Sequence, residues 1–212
     1  MASRKFGHLA AACLALSLLA VLASCYIPDR FRGELRLSRF GDFQLDYQGD
    51  LIYVPILHDY AEGKIKPEDE AARQETIRQD MARDIAFKKI TPMGKGRFQV
   101  TYSRGGRLGR DQLVAIVRRD SRILSLKSRP DNQILIVANG IKPSDSDTMG
   151  KLGVGLQGEF RVTTDANVIQ HNATDVRQFG AYKVYIWKID NPLSAMPKMV
   201  VVRDVDPERP LQ

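Results

Sequence analysis

Residues 31–54 read FRGELRLSRFGDFQLDYQGDLIYV, and the order of apolar and polar side chains in them decides the fold class. Glu34-Leu35-Arg36-Leu37 and Phe43-Gln44-Leu45-Asp46-Tyr47 alternate apolar with polar, the signature of a strand with one wet face. Gly41-Asp42 supplies a tight turn between them, which predicts a hairpin. Gly49-Asp50 is a second turn or bulge signal before Leu51-Ile52-Tyr53-Val54. Pro55 has no N–H to give a ladder, so that strand ends or lies at an edge there.

From Pro67 the pattern switches. Glu68-Asp69-Glu70 places acids in a first turn after a proline, where they suit the helix dipole. Ile77, Met81 and Ile85 then recur every four residues, with Ala71, Ala82 and Phe87 near the same side. Lys88 and Lys89 complement a C-terminal end, and Pro92 forbids continuation. The spacing predicts one helix over about 68–90, packed by a narrow stripe.

Strands resume at Arg97–Tyr102, Leu113–Val117, Ile123–Leu126 and Gln133–Val137; the unbroken apolar run at 113–117 also suits a short helix. Asn139 to Gly153 is rich in Gly, Ser, Asp and Lys and reads as a mobile loop. Gly158–Thr163, Val168–His171, Tyr182–Trp187 and Met199–Val202 complete the strand candidates. These segments predict an α+β fold: a mainly antiparallel, curved β-sheet with one principal α-helix packed on it.

Working outward to the N-terminus, Arg4 and Lys5 precede an uncharged stretch, Leu9 to Leu22, too short to span a bilayer as a mature helix. It ends in Leu22-Ala23-Ser24-Cys25, which matches the lipobox of bacterial lipoproteins. Small residues at 23 and 24 admit the backbone to a peptidase, and the Cys25 thiol accepts a diacylglyceryl group as a thioether. The expected divisions are a signal peptide at 1–24, a lipidated cysteine with a short tether at 25–30, a single domain at 31–203 and a frayed tail at 204–212. Two or more acyl chains hold durably where one does not. The expected location is therefore the cell envelope. By resemblance to the sorting rule of Gram-negative lipoproteins, Tyr26, a residue other than Asp after the cysteine, favours the periplasmic face of the outer membrane in a Gram-negative cell.

Maturation removes Cys13 and consumes Cys25, the only two cysteines, so neither a disulfide nor a zinc–thiolate site is expected. Removing Arg4 and Lys5 from the 32 basic residues leaves 30 against 25 acidic, a formal charge of +5. Much of the excess lies in Arg104, Arg107, Arg110, Arg118, Arg119 and Arg122. These arginines suit contact with an anionic envelope surface, or equally the solvated face of strands. Nucleic acid is not an expected partner in that compartment.

No nucleophile elbow and no apolar carboxylate pair is present, and no cofactor, metal or catalytic residue is expected. Gly153-Val154-Gly155-Leu156-Gln157-Gly158 has the letters of a dinucleotide fingerprint but precedes a strand, where the mechanism needs a helix. His58 and His171 lack further ligands at metal-binding spacing. Tyr182, Tyr185 and Trp187 are available to line a cleft, and equally to fill a core.

A lipidated cysteine, a strand hairpin, a central helix and further strands resemble the LppM-like bacterial lipoproteins. In that family the domain closes on a strand with an Asn, Gly, Val, Trp, Ile/Leu order, met here by Asn172, Gly180, Val184, Trp187 and Ile189. The resemblance implies an α+β domain with a curved sheet, able to bind lipid or glycolipid, and does not imply catalysis. The expectation is a non-enzymatic envelope lipoprotein binding an amphiphile or an envelope partner. The alternatives are a structural or assembly subunit docking through strand edges onto another envelope protein, and a hydrolase of envelope polymers.

Overall fold

The computed structural model of the chain describes residues 26–110, 112–116, 123–141 and 143–208. The elements, in order, begin with strands β1 (Tyr26–Leu37) and β2 (Asp42–Tyr53), then helices α1 (Val54–Ala61) and α2 (Pro67–Met81). Strands β3 (Phe87–Gly94), β4 (Arg97–Arg107), β5 (Leu113–Ile116), β6 (Leu124–Ser128) and β7 (Gln133–Ala138) follow, then helix α3 (Pro143–Lys151). Strands β8 (Gly158–Thr164), β9 (Asn167–His171), β10 (Asp175–Phe179), β11 (Tyr182–Ile189) and β12 (Lys198–Val202) complete it.

The strands form two sheets rather than one. A seven-stranded sheet runs β10-β11-β8-β1-β2-β4-β3, and a five-stranded sheet runs β5-β6-β7-β12-β9. Every pairing is antiparallel except that of β1 with β8. The hairpin read from Gly41-Asp42 is present: the Gly41 N–H donates to Ser38 O at 2.9 Å, with Gly41 at φ +88°. Inward side chains of β1, β2, β4, β8 and β11 meet those of β5, β6, β7 and β12 in one continuous core. Leu35, Leu45, Phe98, Val162 and Trp187 come from the first sheet, and Leu126, Ile134 and Val201 from the second. Burying each such large side chain contributes about 1.5–3 kcal/mol.

Phe31 shows how tightly β1 is held. Glycines flank it on both sides, Gly158 in β8 and Gly49 in β2. A Cβ on Gly49 would lie 2.5 Å from Phe31 Cα, and one on Gly158 would lie 2.6 Å from Phe31 O. Gly49 answers an irregularity in β1 between Asp29 and Arg32, where Arg30 takes φ +45°. The Gly49-Asp50 signal therefore marks a bulge rather than a turn.

The helical content differs from the single helix expected over 68–90. Helix α2 stops at Met81, because the Asp84 side chain accepts the Ala86 N–H at 3.0 Å and turns the chain. Residues 87–94 leave the helix and pair with β4 as an edge strand, the place where Pro92 is tolerated. Ile85, counted in the helical stripe, is 88% exposed. Pro55 does end its strand, and it also starts α1, whose Ile56 and Leu57 are buried. The expected loop at 139–153 contains α3. At 113–116 the strand alternative holds.

Both ends of the domain are tied further than the sequence suggests. Tyr26 lies in β1, 6% exposed, opposite Tyr53, with ring centroids 5.0 Å apart. Residues 26–30, expected as a tether, are strand. Near the other end, Asp204 N–H donates to Arg39 O at 2.7 Å, and Asp206 pairs with Arg107 at 3.1 Å. No helix among the described residues is long and apolar enough to cross a membrane.

Candidate functional site

Chemistry would have to be built from the histidines and the buried carboxylates. His58 lies 3.4 Å from Glu62, one turn on, and Asp59 lies 3.7 Å from Arg73. His58, Asp59 and Glu62 are close enough to converge on one ion. They are at the surface, however, and the carboxylates already face cations. A hydrogen bond from Lys64 holds Glu62 below the usual carboxylate range. His171 Nδ1 accepts the Ala173 N–H at 3.2 Å, and its ring meets Tyr185 edge-on at 4.8 Å. That is a turn-closing role.

Asp29 and Asp50 stand opposite one another in the β1–β2 register, and both are buried. Facing carboxylates can divide acid and base roles when their environments separate them. Here each has its own guanidinium. Arg97 Nη1 donates to Asp29 at 3.1 Å, and Asp29 also accepts the Gln157 N–H at 3.1 Å. Arg30 Nε donates to Asp50 at 3.0 Å. The Tyr47 hydroxyl donates to Asp50 O at 2.8 Å. Burial, then Asp50 and Asp29, push that hydroxyl well above the usual tyrosine range. These groups secure the irregular stretch of β1 to β2, β4 and the strand entry at Gln157.

Cys25, Leu22, Ala23 and Ser24 lie outside the described residues, as do Arg118, Arg119 and Arg122. Arg107 is held by Asp206, and Arg110 is exposed beyond the end of β4. Arg104 lines an open groove of about 650 Å³ with Arg83, Ile85, Lys88 and Ser103. Tyr185 and Trp187 are core, Trp187 at 0% exposure, whereas Tyr182 lies at a hairpin tip at 51%. Alternation explains the split, since 182 faces opposite to 185 and 187. The three line no common cleft.

Two features bear on ligand or partner binding. Between the sheets, Pro28, Phe31, Tyr47, Ile116, Phe160 and Met196 help enclose a space of only about 20 Å³. That is room for about one water-sized probe. At the edge of the seven-stranded sheet, β10 is exposed and, among the described residues, pairs only with β11. Phe179, 60% exposed, faces Tyr182 across the strand pair, and Val176 is exposed two rungs from Gln178. Gly180 takes φ +59° in the turn that joins them. Sequence reasoning passed over β10 because Asp175-Val176-Arg177-Gln178-Phe179 does not alternate; the glycine turn before Tyr182 was the available signal.

No protein-family model matches the chain, and no curated protein matches it. Among solved structures, it is similar to the folded domain of the LppM protein of Mycobacterium tuberculosis, determined by NMR. The identity is 10%, the TM-score 0.43, and the likeness covers 87% of this chain and 95% of that one. This is a weak resemblance.

Proposed function

We propose that the chain is a lipid-anchored, non-enzymatic protein of the bacterial envelope that docks onto another envelope protein through the open β10 edge. The observation that carries the docking reading is a contrast. Among the described residues, the space beside Phe31, Tyr47 and Phe160 between the sheets holds only about 20 Å³, while Val176, Phe179 and Tyr182 are exposed along the β10–β11 edge. An open edge offers a row of backbone donors and acceptors to an added strand, and apolar side chains beside it supply burial. The anchor is read from Leu22-Ala23-Ser24-Cys25. Antiparallel pairing of β10 with a second copy would point the two Cys25 ends in opposite directions. On one membrane the expected occupant is therefore a strand of a different protein.

A second reading is favoured by the groove at Arg83, Lys88 and Arg104, where exposed Ile85 adds an apolar wall. Such a groove suits the anionic head and first methylenes of an amphiphile.

The test places a photo-crosslinking side chain at exposed Gln178, with exposed Lys89 on the opposite edge as control, in cells that process the full chain. An adduct of one defined mass from 178, absent from 89 and lost when Cys25→Ser releases the domain, is expected. No adduct from 178 would overturn the docking reading. A lipid retained by the Cys25-free domain in native mass spectrometry would favour the groove instead.

A further inference from the structure

The burial of Tyr26 constrains how the domain stands on its membrane. We infer that the end of the domain formed by Tyr26, Tyr53, Tyr60 and Lys95 sits within the lipid headgroup layer, with the β10–β11 hairpin at the opposite end. This rests on the proposed lipidation of Cys25.

The constraint is one of chain length. Tyr26 is paired with Tyr53 in β1 and is 6% exposed, so no free residue separates the anchor from the sheet. Consecutive Cα atoms are about 3.8 Å apart. The glycerol carried by the Cys25 sulfur belongs at the edge of the hydrocarbon. The headgroup layer above that edge is roughly 5–7 Å thick, from the difference between bilayer and core thickness. The start of β1 therefore cannot clear it.

The register shows what comes with β1. Tyr53 N–H donates to Gly96 O at 2.8 Å, which places the β3–β4 turn beside Tyr26. Lys95 in that turn lies over the Tyr60 ring of α1 at 5.2 Å. Tyrosine rings with a lysine alongside suit a membrane–water interface, where ring bodies are buried and polar tips are wet. Charge at this end is mixed: Lys64, Lys66 and Lys95 accompany Asp59, Glu62 and Glu70, the last accepting the Lys95 N–H at 2.7 Å. Contact is thus set by the anchor and needs no anionic lipid.

The opposite end follows from strand direction. β8 runs parallel to β1, and β11 antiparallel to β8, with Lys183 opposite Thr164 and Thr164 opposite Leu37. The turn at Gly180 lies beyond Leu37. The 12 residues of β1 put it about 40 Å from the anchor at the strand rise of ~3.3 Å.

The test uses mature, lipidated protein in phosphatidylcholine vesicles, with lipid on Cys25 verified by intact mass. Maturation leaves no free cysteine, so Lys95→Cys and Ala181→Cys each carry a single fluorophore. A headgroup-linked nitroxide is expected to quench the label at 95 several-fold more than the label at 181. Ten Gly/Ser residues inserted between Cys25 and Tyr26 are expected to abolish the difference while membrane retention persists. Lipid on Cys25 with equal quenching at both positions, or a difference that survives the insertion, would overturn the orientation alone. An unlipidated Cys25 would overturn the anchor and the orientation together.

Discussion

Trp187 donates its indole N–H to Asn172 Oδ1 at 2.8 Å, and through that bond the two sheets are stapled together. The same oxygen accepts the Lys198 N–H at 2.8 Å, and Asn172 Nδ2 donates to Met196 O at 2.9 Å. One amide thus ties β11 in the first sheet to β12 and the segment before it in the second. The Asn and Trp of the family-like order are, in this chain, a structural pair.

Asn172→Ala leaves a fully buried indole N–H without its partner. Stability is expected to fall by about 2 kcal/mol, the usual cost of orphaning a buried donor. Denaturant unfolding followed by the emission of the chain's one tryptophan reads it directly. An unchanged midpoint would show that water replaces the amide without loss.

Asp29 is buried and faces Arg97, which is itself mostly buried. Removing the carboxylate in Asp29→Ala leaves the Arg97 charge with only its bond to Gly153 O and orphans the Gln157 N–H, with an expected loss of about 3 kcal/mol. Replacing both partners, Asp29→Leu with Arg97→Met, is expected to recover part of it in thermal unfolding. A double variant weaker than the single would show that the pair contributes more than mutual neutralisation.

Gly158→Ala pushes a methyl into the Phe31 ring and backbone, and Gly49→Ala does the same from the other side at an unfavourable φ of +153°. Overpacking is expected to cost roughly 1–3 kcal/mol at Gly158, and backbone strain adds to it at Gly49. Gly63→Ala, with open space around its Cβ position, gives the comparison for a positive φ alone. Equal losses at 63 and 49, or no loss at 158, would refute the packing account.

Burial, then Asp50 and Asp29, hold the Tyr47 hydroxyl well above the usual tyrosine range. Tyr102 is raised too, by burial and Asp84, with Arg104 opposing. A raised acid in the folded state stays neutral after the unfolded chain has begun to ionise. Its contribution is therefore fully present below the unfolded value and is lost as pH climbs above it. Unfolding free energy is expected to fall above about pH 10. The fall is expected to be shallower in Tyr47→Phe, compared with the parent by urea titration across that range.

How much of this was legible depended on whether a signal was local. The β1–β2 hairpin was, because Gly41, Asp42 and the alternation on both sides agree. Helix α2 was placed but overrun, since Ile77, Met81 and Ile85 share a four-residue spacing that nothing nearby contradicts. What ends the helix is the Asp84 side chain bonding Ala86, and pairing with β4 then claims Phe87 onward. The division into two sheets left no local trace, because β12 and β7 look alike whether they extend one sheet or build another. Tyr182, Tyr185 and Trp187 stand close in sequence, and parity in a strand separates the first from the others. The β10 edge was missed for the opposite reason: its exposed residues carry no core-facing pattern to detect.

The parallel neighbour of β1 also sets an order of events. β2 can fold back on β1 as soon as the hairpin exists. β8 cannot join until the far third of the chain is present, and Gln157 reaches Asp29 across 128 residues. Folding dominated by such distant pairings is slow. A chain made N-terminus first would thus expose the flank of β1 where β8 belongs until its last third has emerged. Assembly of the seven-stranded sheet then becomes a late step, completed only when the last third of the chain is available to pair.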